Sequence, residues 1–197
     1  MSSSRGDAMA DRLRRAAARC DIAAPDIARI LTAFASGLEL RARVLEDPHH
    51  PQMLHTGRTA LILLEDIGFA DPDALALAVL FESRTASLQL GSARMRALAG
   101  ERAAHLANSL PIAESDGDRV LEALLAAEPA ATAVAVAERL DHARHLHLEP
   151  RAGWASFHER FAAVYVPVAE RTHPRLGRRS RWWVDMFARR YLPARSD

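Results

Sequence analysis

Lysine is absent from this 197-residue chain, so all 26 of its basic residues are arginine. They are balanced by 25 aspartate and glutamate residues, which leaves a formal net charge of +1. A nucleic-acid-binding domain usually carries a clear basic excess and a known reader motif, and this sequence has neither. We therefore do not expect nucleic acid to be a partner.

Cysteine and long apolar runs are also scarce. Cys20 is the single cysteine, so the chain cannot form an internal disulfide bond. No apolar run approaches the roughly 18 to 20 residues that a membrane span needs. The first ten residues are polar and lack the apolar core of a signal peptide. The sequence therefore predicts a cytoplasmic protein without a membrane partner.

The composition favours helices over strands. Hydrophobic residues make up 49% of the chain, but alanine and leucine dominate them and aromatic residues contribute only 6%. Alternation of β-branched and polar residues is rare, which disfavours a sheet. No segment resembles a linker, and the length suits one domain with a large core. We predict a single all-α domain over residues 1–197, a bundle of about nine helices, with residues 1–7 flexible.

Apolar periodicity and helix-breaking residues locate these helices. Asp71-Pro72 is typical of a helix start, and Gly68 is suited to closing the preceding helix. The apolar run that follows Pro72 is predicted to form the central, buried helix. Helices are predicted at 8–20, from 26 to beyond 44, 52–68, 72–81, 92–108, 116–128, 131–148, 153–171 and 179–191.

Four separated motifs carry the functional information. They are His55 after Pro51-Gln52-Met53-Leu54, the pair Phe81-Glu82, the run Glu138-Arg139-Leu140-Asp141-His142-Ala143-Arg144, and Tyr165-Val166-Pro167. In order and spacing they resemble the HD-domain superfamily, specifically the RelA/SpoT-type hydrolases of the alarmones ppGpp and pppGpp, including the small alarmone hydrolases. The resemblance extends over about residues 43–190, and it implies an HD-domain-like helical bundle.

The resemblance implies a site for one divalent metal, manganese or iron, but most of the functional residues differ. The family's four metal-ligand positions fall on His55, Phe81, Glu82 and Glu138, and we expect these four side chains to converge in one cleft. A phenyl ring offers no lone pair to a metal, whereas glutamate in place of aspartate keeps an oxygen ligand and adds one methylene. The family's water-activating Glu-Asp pair falls on Thr85 and Ala86, neither of which is a usable general base.

Two functions are compatible with these departures. The first is a pseudo-hydrolase without a metal cofactor, which binds a nucleotide or a protein partner in a regulatory role related to the stringent response. The alternative is an active phosphohydrolase or (p)ppGpp pyrophosphohydrolase, in which His55, Glu82 and Glu138 hold Mn²⁺ or Fe²⁺. A purely structural interpretation also exists, since Glu82 and Glu138 could simply pair with arginines such as Arg58, Arg84 or Arg139.

The same motifs supply the predicted ligand-binding residues. Arg139 and Arg144 match the family's pattern, and His142 replaces its asparagine; with Arg58 they are predicted to bind a guanine nucleotide or another anionic small molecule. His142, His145 and His147 are close in sequence, but only the first two share a helix face. We therefore do not expect these three histidines to bind a metal together.

The carboxy-terminal segment is rich in arginine. Arg171, Arg175, Arg178, Arg179 and Arg181 precede Trp182 and Trp183. We expect residues 171–181 to form an anion-binding face together with Arg139 and Arg144.

Overall fold

A computed structural model describes residues 4–47, 49–82, 90–110 and 117–192. The predicted all-α fold is confirmed, because no strand occurs in these ranges. The helices are α1 (Ser4–Arg19), α2 (Ala24–Leu45), α3 (His55–Leu61), α4 (Pro72–Ala78), α5 (Ser92–Ala99), α6 (Glu101–Asn108), α7 (Gly117–Ala126), α8 (Pro129–His145), α9 (Trp154–Arg160), α10 (Val166–Thr172) and α11 (Pro174–Tyr191).

Two π-helical segments extend or join some of these helices. The segment Ile62–Ile67 continues α3, and the segment Phe161–Tyr165 joins α9 to α10. Counted as continuous helices, the described residues therefore form 10, close to the predicted nine. None of these helices combines the length and the apolar character that crossing a membrane requires.

Several predicted helix ends agree with local chemistry. The Asp71 side chain accepts hydrogen bonds from the backbone N–H groups of Asp73 and Ala74, at 2.9 and 3.0 Å, and so caps α4. Gly68 closes the preceding π-helical segment with φ 71°. This left-handed conformation strains residues with a Cβ, which is why glycine suits the position.

Other predicted boundaries were wrong. The first helix begins at Ser4 instead of residue 8. The predicted helix 92–108 is interrupted at Gly100, whose φ of 100° cannot continue an α-helix, so α5 and α6 are separate. The last helix starts at Pro174 instead of 179, because proline suits the first turn and His173 accepts a hydrogen bond from the Arg175 N–H.

The core is centred on α4 and α8. All residues of α4 from Ala74 to Ala78 are buried, as predicted for the central helix. The first half of α8 consists almost entirely of alanine and valine, and residues 130–137 are buried as well. Small side chains on α8 let neighbouring helices approach closely, and α3, α4, α10 and α11 all pack against it.

Gly37 sets the approach of α2 to the end of α4. A Cβ added at Gly37 would lie 2.7 Å from the backbone oxygen of Val79, which is closer than a carbon–oxygen contact allows. Arg41 lies one turn further along α2, and Glu82 lies three residues beyond Val79. The missing side chain at Gly37 therefore places Arg41 beside Glu82.

Three aromatic side chains in residues 154–168 belong to the core. Trp154, Phe161 and Tyr165 are each at most 9% exposed. Phe161 meets the Trp183 ring edge-on with centroids 4.9 Å apart, and Trp154 meets Phe187 in the same way at 5.6 Å. These edge-to-face contacts attach α11 to the helix formed by residues 154–172.

Candidate metal centre

Four potential metal ligands converge where α3, α4 and α8 meet. His55 is the first residue of α3, and Glu82 follows the end of α4. Glu138 and His142 lie four residues apart on α8, so both project from the same face of that helix. One ligand atom from each of the four side chains can be chosen so that all lie within 4.8 Å of one another.

The closest contacts join imidazole nitrogens to carboxylate oxygens. His142 Nε2 lies 2.9 Å from Glu138 Oε1 and 3.6 Å from Glu82 Oε1. His55 Nε2 lies 3.4 Å from Glu138 Oε1 and 3.8 Å from Glu82 Oε2. The two imidazole rings are tilted against each other with centroids 4.1 Å apart.

Asp141 orients His55 from the side away from the cluster. Its Oδ2 lies 2.6 Å from His55 Nδ1, and both side chains are buried. Arg58 donates to the same carboxylate from Nε and Nη2, at 2.9 and 2.8 Å. With Asp141 ionised, Nδ1 of His55 carries the proton, so a neutral His55 directs the lone pair of Nε2 towards Glu82 and Glu138.

Arg41 performs the corresponding role for Glu82. Its Nη2 and Nη1 donate to Glu82 Oε2 at 2.7 and 3.1 Å, and both side chains are at most 5% exposed. Both hydrogen bonds go to one oxygen, while Oε1 is the oxygen nearer to His142. A guanidinium held in this way fixes the carboxylate. Burial would raise the pKa of Glu82, but His142, His55 and Arg41 outweigh it and lower that pKa.

Burial and neighbouring charges shift the pKa values of these groups in opposite directions. Burial by itself would lower the pKa of His55, but the hydrogen bond to Asp141 and the proximity of Glu138 outweigh it and raise that pKa. Burial would raise the pKa of Asp141, but His55 and Arg58 lower it below its usual range. The pKa of Glu138 is also lowered, because His142 and His55 outweigh the effect of burial. All three groups thus favour their charged forms when only protein groups surround them.

The four side chains offer donor atoms of the kinds that bind divalent metal ions. With metal–ligand distances of about 2.1 Å, neighbouring ligand atoms lie about 3.0 Å apart in an octahedron and about 3.4 Å apart in a tetrahedron. The imidazole–carboxylate distances of 2.9 to 3.8 Å fall in or near this range. Nε2 of His55 and Nε2 of His142 are buried and make no well-aligned hydrogen bond with any described residue. Donor atoms of the right kind and spacing therefore fit an ion among them.

The structure brings together the three predicted site residues that carry a possible ligand atom. His55, Glu82 and Glu138 belong to the cluster, whereas Phe81 is a core residue that is 7% exposed and contributes no ligand atom. The predicted substitutes for the water-activating pair, Thr85 and Ala86, lie outside the described residues, as does Arg84.

The predicted ligand-binding residues do not form one surface. Arg58 is engaged with Asp141, and its Nη1 donates to the Pro51 carbonyl at 2.8 Å. Arg139 is buried, with Nε 3.3 Å from Glu138 Oε2 and its guanidinium 5.7 Å from the Tyr165 ring centre. Arg144 is partly exposed and pairs with Asp66. The expected face that joins Arg139 to residues 171–181 is therefore wrong for Arg139, whose side chain is 4% exposed.

His142 was assigned to ligand binding, and its place among the potential metal ligands was missed. The sequence analysis compared His142 only with His145 and His147 and overlooked Glu138, one helical turn earlier. A Glu-x-x-x-His spacing puts both side chains on one helix face, and this signal was available in the sequence. Asp141 and Arg41, which orient two of the ligands, carried no comparable signal.

The chain was compared with protein-family models, with curated proteins and with solved structures, and none of the three comparisons returned a match.

Proposed function

We propose that this chain binds one divalent metal ion through His55, Glu82, Glu138 and His142 and is a metal-dependent phosphohydrolase. The observation that carries the proposal is the convergence of two imidazole nitrogens and two carboxylates within 4.8 Å in a buried site. Asp141 and Arg41, which hold His55 and Glu82, supply the supporting hydrogen bonds that metal sites typically have.

The ligand set suggests which ions are suitable. Two imidazoles with two carboxylates suit Mn²⁺ and Fe²⁺, and they leave coordination positions for water or substrate in an octahedral arrangement. A bound ion of this kind lowers the pKa of a water molecule and stabilises negative charge on a phosphoryl oxygen. The substrate class, a phosphoester or pyrophosphate such as ppGpp, is supported by the resemblance to the HD-domain hydrolases.

The protein's own groups would prepare the site for this chemistry. Asp141 keeps the proton of His55 on Nδ1, and Arg58 keeps Asp141 ionised. The Arg41 guanidinium restrains one oxygen of Glu82 and, with His142 and His55, favours its ionised form. Burial excludes bulk water from three of the four ligands, since His55, Glu82 and Glu138 are all less than 9% exposed.

A second function is supported by the charge balance of the site. Three buried carboxylates, those of Glu82, Glu138 and Asp141, are in contact with three arginines, Arg41, Arg58 and Arg139. Such a network is neutral without a cation, and a protonated His55 would be stabilised within it. This arrangement supports a metal-free pseudo-hydrolase that regulates by binding a nucleotide or a protein.

Metal analysis separates the two proposals. We expect protein purified without chelators, then incubated with Mn²⁺ or anaerobic Fe²⁺ and desalted, to retain about one equivalent of metal per chain. His142→Ala should reduce retention at least tenfold, because it removes a ligand. His145→Ala is the matched control, since His145 lies on the same helix and bonds to the backbone oxygen of Asp141. Absence of retained metal in the unsubstituted protein would favour the metal-free proposal.

Activity is measured on the metal-loaded protein. We expect release of phosphate or pyrophosphate from ppGpp, or from a generic phosphodiester, that disappears in Glu138→Gln and persists in His145→Ala. Circular dichroism would verify that Glu138→Gln remains folded. Retained metal without turnover of any phosphoester tested would contradict the hydrolase proposal and leave a metal-dependent regulatory role.

A further inference from the structure

A second, separate feature is the groove at the beginning of α11. It has a volume of about 870 Å³ and is lined by Arg175, Arg178, Arg179, Arg181 and Trp182 of α11, by Glu170 of α10, and by Glu65 and Asp66 of the segment Ile62–Ile67. Pro174, Gly177 and Asp185 complete the lining. None of the four residues of the candidate metal centre lines this groove.

Most of the carboxylates in the groove are neutralised by arginines. Glu65 pairs with Arg12 and Arg19, Asp66 pairs with Arg144, and Glu170 pairs with Arg181. Arg12, Arg19 and Arg144 are additional to the four arginines that line the groove. Seven arginines thus accompany the four carboxylates Glu65, Asp66, Glu170 and Asp185, which leaves an excess of three positive charges.

The excess positive charge of the groove is exposed to solvent. Arg175, Arg178 and Arg179 are exposed, and no described residue forms an ion pair with any of them. Their guanidinium groups therefore retain donors for an external anion. Planar guanidinium groups bind phosphate oxygens through two parallel hydrogen bonds, which makes phosphate a well-matched anion.

Trp182 adds an aromatic surface to this charge. Its side chain is 57% exposed, whereas Trp154 and Trp183 are buried in the aromatic core at 9% and 1%. An exposed indole next to unpaired arginines offers a flat face on which a nucleobase can stack. The groove thus provides an aromatic surface for the base of a nucleotide and a basic surface for its phosphates.

We propose that the groove is a nucleotide-binding site, in which Trp182 stacks on the base and Arg178, Arg179 and Arg175 bind the phosphates. This inference goes beyond the proposed metal centre and does not depend on it. A net charge of only +1 and a positive excess confined to one groove provide little attraction for a long polyanion such as a nucleic acid. A small phosphate ester with an aromatic base fits the groove volume better.

The binding test uses the full-length protein in EDTA, so that the candidate metal centre does not contribute. GTP, ATP, guanosine and inorganic pyrophosphate are titrated separately, with calorimetry and tryptophan fluorescence as readouts. We expect a nucleoside triphosphate to bind with a micromolar to submillimolar dissociation constant and to quench the exposed Trp182. Guanosine and pyrophosphate should each bind at least about tenfold more weakly, because each provides only one of the two contacts.

Matched variants assign the binding to the groove. Arg178→Ala combined with Arg179→Ala should weaken nucleotide binding at least about tenfold. Trp182→Ala should weaken it several-fold and abolish most of the quenching. Arg189→Ala combined with Arg190→Ala removes the same charge from exposed positions of α11 outside the groove and should have little effect.

Several results would overturn the inference. No binding up to about 1 mM nucleotide would exclude the site. Equal weakening by the two double variants would show that net charge alone attracts the ligand. Pyrophosphate binding as tightly as a nucleotide would exclude base stacking, and single-stranded oligonucleotides that bind more tightly with increasing length would identify a nucleic-acid surface instead.

Discussion

The candidate metal centre and the α11 groove are built from the same residue types, arginine and carboxylate with an aromatic or imidazole ring, but they differ in burial. Arg41 and Glu82 in the centre are 4% and 5% exposed, whereas Arg181 and Glu170 in the groove are 63% and 38% exposed. Solvent screens the groove pair, and such exposed pairs contribute little to stability. A buried charge that loses its partner is costly, so charges in the centre depend on each other for folding.

The comparison shows which region can change without unfolding the protein. In the centre, substitutions of Asp141 or Arg41 affect both the fold and the ligand geometry, because the same hydrogen bonds serve both. In the groove, Arg175, Arg178 and Arg179 can bind a ligand because no described residue forms an ion pair with them. Substitutions with matched residue types in the two regions test this difference.

The largest effect is expected for Asp141→Ala. The change leaves Arg58 and His55 without their shared carboxylate in a buried position, which typically costs about 3 to 5 kcal/mol of unfolding free energy. Asp185→Ala in the groove should change the unfolding free energy by no more than about 0.5 kcal/mol, because Asp185 is exposed. Urea denaturation measures both values, and similar values would show that burial does not separate the two regions.

Arg41→Ala is expected to weaken metal binding by about 10- to 100-fold, because it removes the guanidinium that restrains Glu82. Arg43→Ala is the control, since Arg43 is exposed two residues away on the same helix. Competition with a chelator of known affinity measures the change. If Arg41→Ala unfolds the protein, Arg41→Lys retains the charge but not the paired donors and should give an intermediate affinity. Unchanged affinity in folded Arg41→Ala would contradict the positioning role.

Gly37→Ala is expected to cost about 1 to 3 kcal/mol of unfolding free energy, because the added methyl group forces α2 away from the Val79 carbonyl. Gly153→Ala is a suitable comparison, since nothing lies within 4 Å of a Cβ added there. The separation of α2 from α4 should also weaken metal binding through Arg41 and Glu82. A neutral effect on stability and metal binding would show that these helices can adjust without disturbing the centre.

The smallest stability effect is expected for Arg178→Ala combined with Arg179→Ala. Surface substitutions of this kind each change the unfolding free energy by about 0.5 kcal/mol or less. The same variant should lose nucleotide binding, and binding by the unsubstituted protein should weaken as salt rises from about 0.05 to 0.5 M, because exposed charges are screened. A strongly destabilised double variant would mean that these arginines have a structural role.

Much of the helical architecture could be predicted from the sequence. The Asp71-Pro72 start, the closure at Gly68 and the buried run of α4 follow from backbone preferences and apolar periodicity, which are local properties. The predictions failed where a single residue changed the local conformation. Gly100 divides one predicted helix because its positive φ depends on the surrounding packing, and α11 begins at Pro174 because His173 caps it.

The candidate centre was predicted only in part, because His142 was not predicted as a metal ligand. His55, Glu82 and Glu138 were assigned because the chain resembles the HD-domain hydrolases in the order and spacing of its motifs, and the Glu138–His142 pair has a spacing that places both side chains on one helix face. Arg41 could not be assigned to Glu82 from sequence, because their proximity depends on how closely α2 crosses α4 at Gly37. The burial of Arg139 could not be predicted either, because sequence alone does not distinguish a buried arginine from an exposed one.

The sequence by itself determined the all-α class, the position of most helices and the set of residue types available for a site. These properties follow from composition, local backbone preferences and the 3.6-residue period of the helix. Only the tertiary structure decided that His142 joins His55, Glu82 and Glu138, that Phe81 lies in the core, and that Arg178 and Arg179 remain exposed. Burial and side-chain convergence arise from helices that are distant in sequence and cross at specific angles, and no local pattern encodes those crossings.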